Sequence, residues 1–162
     1  MKEIQLTQGK VAMVDDADYE WLNQWKWYAH KHPKGSSFYA IRNCCQNGKW
    51  ISIKMHRIIL GLTDPKVLAD HKDGNGLNNQ RYNLRGCNRA ENNRNVPPKR
   101  CGFSQYKGVA LIKKTGKWNV RIRHNSKALH IGNYDTAEEA AKAYNEAAIK
   151  YHGEFAWTNQ MH

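Results

Sequence analysis

Acidic residues are scarce in this chain of 162 residues, where 14 Asp and Glu stand against 26 Lys and Arg for a formal net charge of +12. None occurs between Glu91 and Asp135, a stretch that holds Arg94, Lys99, Arg100, Lys107, Lys113, Lys114, Lys117, Arg121, Arg123 and Lys127. A surface evolved only for solubility mixes both signs, so this lack points to a polyanionic partner. Trp and Tyr interleaved with the cations favour nucleic acid over a membrane surface. Long apolar runs are missing too: no segment is suited to span a bilayer, and the N-terminus has no apolar signal-peptide core, so the expected location is the cytoplasm. Cysteines do not follow the C-x2-C spacing of zinc ribbons, since Cys44 and Cys45 are adjacent and Cys87 and Cys101 lie far apart. Structural zinc is therefore not expected, and free thiols in a reducing compartment are. The chain has no internal repeat and no low-complexity tract.

The length suits one medium domain or two small ones. The fold class expected is α+β. Residues 1–54 form a small β-rich region, with Val11, Met13, Phe38, Tyr39, Trp50 and Ile51 in short runs broken by Gly9, Pro33-Lys34-Gly35 and Asn47-Gly48. Gln46-Asn47-Gly48-Lys49 predicts a hairpin turn, and Asp16 a helix cap before Trp21 and Leu22. Met55, Ile58, Ile59 and Leu62 then fall at helical spacing. A strand through Val67, Leu68 and Ala69 leads to Asp70-His71. A second strand is expected near Asn83-Leu84-Arg85, and a helix from Asn88 and Glu91. Pro97-Pro98 excludes regular structure, which makes residues 96–104 a basic linker. Beyond it, Val109/Leu111, Trp118/Val120/Ile122 and Leu129/Ile131 alternate as three strands. Thr136 and Glu139 make a capping box for an Ala-rich helix with Ala137, Ala140, Ala141, Tyr144, Ala148 and Tyr151 on its apolar face, ending at Gly153.

Asp70-His71, Asp73-Gly74-Asn75, Asn78-Asn79, Asn83-Leu84-Arg85 and Asn92-Asn93 crowd acid, imidazole and amides into one segment. An imidazole that titrates near neutrality, beside hard oxygen ligands, is suited to phosphodiester hydrolysis. On a strand, Asp70 points away from His71 and suits a metal better than it suits orienting the ring. An oxygen-only set favours Mg²⁺, with Mn²⁺ as the alternative. A plain Asp-Gly-Asn turn is the simpler reading, and a calcium loop fails because Lys72 takes a ligand position. The segment over residues 55–95 resembles the HNH, or ββα-metal, endonucleases of phage and homing type. That resemblance implies His71 as general base, Asp70 and Asn92 as metal ligands, and Asn83 as a brace for the loop. Asn92 departs from the His usual at the last position.

On the strand alternation, Asn119, Arg121 and Arg123 lie opposite the helix-facing Trp118, Val120 and Ile122, with Lys107, Ala110, Ile112, Ala128 and His130 sharing their face. Such a sheet fits a DNA major groove, where Arg reads guanine and Lys holds phosphate. Tyr106-Lys107-Gly108-Val109, Gly116-Lys117-Trp118, Arg121-Ile122-Arg123, the run from Ile131 to Ala141, Ala143-Tyr144 and Tyr151-His152-Gly153 resemble the AP2/ERF DNA-binding domain over about residues 104–159. Family arginines are replaced by Ala110 and Ile112, an acid by Arg121 and a tryptophan by His130, so the family's site preference does not carry over. Arg121 and Arg123 are the first candidates for DNA contact, then Lys107, Lys113, Lys117 and Asn119.

Together these features predict a nuclease domain over residues 1–95, divided into 1–54 and a ββα core over 55–95. The linker and an AP2-like three-stranded antiparallel sheet on one helix, residues 105–162, follow. The expected function is metal-dependent cleavage of double-stranded DNA by a phage or homing enzyme, monomeric or weakly dimeric, without a nucleotide cofactor. The alternative is a non-catalytic, sequence-specific DNA-binding regulator that keeps an HNH-like scaffold.

Overall fold

The computed structural model describes residues 1–32, 37–98 and 104–161. The turn expected at Pro33-Lys34-Gly35 and most of the linker lie outside these residues. The fold is mixed α+β with antiparallel sheets, in two compact units, Met1–Arg89 and Ala90–His162.

The first unit opens with the hairpin β1 (Lys2–Gln5) and β2 (Val11–Val14), then α1 (Asp16–Asn23). Asp16 is the first helical residue rather than the cap; Asp15 holds the cap position but accepts from Gln80 and Arg81 rather than from the helix amides. Strands β3 (Tyr28–Lys31), β4 (Phe38–Gln46) and β5 (Lys49–Lys54) form a sheet in that order. Asn47 and Gly48 turn the β4–β5 hairpin with φ of 50° and 72°, the left-handed pair that matches strand twist. The short α2 (Met55–Ile59) buries Met55 and Ile59, and β6 (Leu68–His71) pairs with β7 (Leu84–Cys87). The core gathers Ile4, Val14, Leu22, Trp27, Ala40, Met55 and Leu84. Cys44, Cys45 and Cys87 are free thiols.

The second unit starts within α3 (Arg89–Arg94). β6, β7 and α3 follow one another in the expected strand–strand–helix order. A sheet of order β10-β9-β8 follows, from β8 (Val109–Leu111), β9 (Trp118–His124) and β10 (Lys127–Tyr134). Val120 and Ile122 pack against Ala140, Ala141, Tyr144 and Ala148 of α4 (Ala137–His152). Small alanines let the helix lie close on the sheet. The Thr136 hydroxyl accepts from Glu139 N at 3.2 Å and the Glu139 carboxylate from Thr136 N at 3.3 Å, closing the capping box. After the helix, Asn159 joins the tail to the start of β8: its Oδ1 accepts from Lys107 N at 2.7 Å and its Nδ2 donates to Lys107 O at 3.1 Å.

Candidate nucleic-acid interface

Two clusters need placing: the acid–imidazole–amide segment of the first unit and the outer sheet face of the second. In the first, antiparallel pairing sets Asp70 opposite Arg85 and His71 opposite Leu84. Arg85 Nε and Nη2 donate to Asp70 Oδ2 at 2.9 and 2.7 Å, with the two side chains only 9% and 8% exposed. A carboxylate neutralised by guanidinium is a poor ligand for a hard cation. Asn92, the expected second ligand, lies on α3. Asp70 paired with Arg85 does not fit the ligand role expected of it at a Mg²⁺ or Mn²⁺ site. Among the described residues, no three His, Cys, Asp or Glu side chains converge where an ion would be held.

His71 is buried, and its Nε2 lies 3.2 Å from Asn79 Oδ1. Asn79 Nδ2 donates to Leu77 O, which leaves Oδ1 to accept from the ring. Burial lowers the pKa of His71, opposed by the Asn79 bond and by the Asp73 and Asp70 carboxylates. His56 stands edge-on to it, ring centres 5.0 Å apart, and Tyr39 lies 5.9 Å away. The deep burial of His56 against His71 emerges only in the fold. Burial, then the charges of His71, Lys54 and Arg57, push the His56 pKa down to about 3, and its Nδ1 has no hydrogen-bond partner among the described residues.

This pair makes stability pH-dependent. The unfolded chain takes up a proton at His56 below about pH 6.5 while the folded chain resists it until about pH 3, so stability is complete above the first value and falls as pH drops through the window. At about pH 4.5 the loss from His56 alone comes to roughly 2–3 kcal/mol. Urea unfolding of His56→Gln should show a pH dependence smaller by that amount; an unchanged dependence would refute the assignment.

The amides of the same segment close their own loop. Asn83 Nδ2 donates to Asp73 Oδ1 and Asn78 O at 2.9 and 2.8 Å, and Asn83 Oδ1 accepts from Asp73 N at 3.1 Å. Asn78 Nδ2 donates to Asp73 Oδ2 at 2.8 Å, and Asn75 N to Asp73 Oδ1 at 2.8 Å. The loop is fastened to β2, where Asn79 N donates to Met13 O, and to α1, where Arg81 grips the buried Asp18 at 2.7 and 2.8 Å. Amides and carboxylates at turn spacing satisfy backbone groups that a partly buried loop would otherwise leave unpaired.

In the second unit, β9 turns Val120 and Ile122 toward α4 and exposes Arg121 and Arg123 on the other face. Asn119 shares that face. Its Nδ2 lies 2.9 Å from His130 Nδ1 and 2.8 Å from Asn133 Oδ1, so its two protons bridge β9 to β10. Ala110, Ile112, Asn119, Arg121, His130 and Asn133 line an open hollow of about 550 Å³. The small Ala110 leaves that hollow clear. Lys113 and Lys117 flank the β8–β9 turn, with Lys117 Nζ 3.1 Å from the exposed Asp135 carboxylate. His130 and Asn133 were not among the first candidates; their cross-strand register to β9 is the signal that brings them in.

Lys107 departs from expectation. It does not join the exposed face: its Nζ donates to Arg94 O and Val96 O, both at 2.6 Å. Burial pushes its pKa down to about 8, so at neutral pH it remains a cation held by carbonyls at the end of α3.

Residues 104–154 match the family model of the AP2 domain. The chain is similar to the ethylene-responsive transcription factor WRI1 of Arabidopsis thaliana, 48% identical over 60 residues that cover 36% of this chain and 14% of the relative. APETALA2-like protein 2 of Oryza sativa subsp. indica is 46% identical over 50 residues, 31% of this chain and 12% of that protein. The AP2-like ethylene-responsive transcription factor TOE2 of Arabidopsis thaliana is 44% identical over 50 residues, 31% and 10% respectively. The matched stretch thus spans well under a fifth of these curated relatives.

WRI1 and TOE2 are transcription factors by name, and with the AP2 match they overturn the expected endonuclease. The enzyme class, the hydrolase, phage and homing attributes, and the catalytic step assigned to His71 go with it. No helix among the described residues is long and apolar enough to cross a membrane. Residues 104–154, built as β8–β10 against α4, are similar to the AP2 domain, and it is this part of the chain that carries the likeness.

Proposed function

We propose that this protein is a non-catalytic, sequence-specific DNA-binding regulator that contacts duplex DNA through the outer face of β8–β10. The observation that carries the reading is the exposure of Arg121 and Arg123 on the face opposite α4, within the segment that matches the AP2 domain. A twisted sheet bearing guanidinium groups suits the major groove, where Arg donates to both guanine acceptors. Asn119, oriented by His130 and Asn133, offers its Oδ1 as an acceptor toward exocyclic amines of adenine or cytosine. Lys113 and Lys117 suit phosphate contact, which positions without specifying. The first unit serves as a scaffold carried on the same chain.

Selection from a randomised duplex pool should enrich a defined motif. Arg121→Ala and Arg123→Ala should each cost about 1–3 kcal/mol on that motif and relax preference at one position. Lys117→Ala should weaken all sequences alike. Equal affinity of the double arginine variant for the selected motif would end the sheet assignment. Supercoiled plasmid incubated with Mg²⁺, Mn²⁺ or EDTA should be retarded but remain supercoiled, and a nicked or linear product would overturn the non-catalytic reading.

A further inference from the structure

Trp50 is 76% exposed, the most exposed large apolar side chain among the described residues. It sits on β5, an edge strand, in the part of the β4–β5 hairpin that projects beyond the core. Cys45, Gln46 and every residue from 49 to 52 are exposed, whereas Ala40 and Ile41 at the base are buried. An indole left in water on a strand edge is a liability for aggregation unless it has a use.

The ribbon is stiffly held. Tyr28 Oη and Ser52 Oγ both donate to Asn43 Oδ1 at 2.8 Å, tying β3, β4 and β5 together. The Arg42 guanidinium lies 4.2 Å over the Trp25 ring on the opposite face. Register places Cys45 across from Trp50, Asn43 across from Ser52 and Ile41 across from Lys54. Trp50, Ser52 and Lys54 therefore share one face, and Lys49 stands beside the turn.

Charge identifies the partner. Residues 21–63 contain no Asp or Glu but seven Lys and Arg: Lys26, Lys31, Lys34, Arg42, Lys49, Lys54 and Arg57. This acid-free run is separate from the one in the second unit. The exposed apolar part of the ribbon is only Trp50 and Ile51, far below the roughly 800 Å² per partner of a stable protein interface. An isolated aromatic framed by lysines and amides instead suits a nucleic-acid contact, with the cations on phosphate. A two-stranded ribbon also has the width the major groove admits.

We infer that the β4–β5 ribbon is a second contact for duplex DNA, with Trp50 packed against base edges and Lys49 and Lys54 on phosphates. It lies in a different unit from the AP2-like sheet, so it adds affinity without depending on the sheet's sequence preference.

The test uses the full chain and a short labelled duplex lacking the selected motif, with anisotropy read over a salt series. Trp50→Ala should weaken binding about tenfold and Trp50→Phe far less, because most of the apolar area packed on the base edges is retained. Lys49→Ala/Lys54→Ala should lower the slope of log affinity against log salt by about 1.8, one increment of about 0.9 for each phosphate released. Wild-type affinity and slope in both Trp50→Ala and the lysine variant would overturn the inference. So would unchanged DNA binding coupled to loss of a dimer on Trp50→Ala in sedimentation, which would assign the ribbon to a second copy. Failure of Arg121→Ala/Arg123→Ala to affect the selected motif would sink the sheet reading alone and leave the ribbon results standing.

Discussion

Arg85→Met is expected to destabilise the first unit by about 3–5 kcal/mol, because it strands the Asp70 carboxylate in the interior without its cation. Burial alone does not set this cost. What sets it is a desolvated charge that has lost the guanidinium offsetting it, which opposes folding. Asp70→Asn/Arg85→Met removes both charges and should recover more than half of the loss, since a neutral pair escapes the desolvation penalty. Urea unfolding of the four proteins of this cycle measures the coupling directly. A single variant that unfolds like the wild type would show that the pair contributes little and that Asp70 has another stabilising partner.

The second large effect is expected at Gly108, where the chain passes beneath α4 to enter β8. Its φ is +73°, and a Cβ there would lie inside the van der Waals envelope of the Tyr144 ring and 2.7 Å from Arg121 O. Neither neighbour can yield: Tyr144 is fully packed, and Arg121 O belongs to the central strand. Gly108→Ala therefore combines a left-handed backbone cost of about 1–2 kcal/mol with an overpacking cost of similar size, roughly 3 kcal/mol together. Gly116, at φ +70° with nothing within 4 Å of a new Cβ, supplies the control and should lose only about 1 kcal/mol. Thermal unfolding of both variants separates the two causes; equal losses would mean that the Tyr144 contact is not limiting. DNA binding by the sheet should fall in step with the Gly108→Ala loss.

Much of the second unit was legible in the sequence because its signals are local. Alternation at Trp118, Val120 and Ile122, the Thr136–Glu139 box and the alanine spacing each depend on residues a few positions apart, and the observed strands and helix follow them. The Asn47-Gly48 turn in the first unit belongs to the same class. The Asp70–Asn93 segment misled for a related reason. Carboxylates and amides at turn spacing are the residue types of a ligand set and equally those that close a polar loop, and composition does not separate the two. Asp73, Asn78 and Asn83 hydrogen-bond one another, and Asp70 turns to Arg85 fifteen positions away. Lys107 departs from its strand alternation for the same reason, since alternation does not reveal carbonyls thirteen and eleven residues before it.

The sequence by itself determined the sign of the partner's charge, the period of each strand and helix, and which side of β9 carries arginine. These are properties of composition and of neighbours along the chain, and no folding is needed to read them. Tertiary structure alone decided that Asp70 is ion-paired, that His56 and His71 are buried against each other, that Lys107 is turned inward and that Trp50 stands clear of the core. Desolvation and pairing depend on what distant segments bring to the same point in space, and only the folded chain sets those distances.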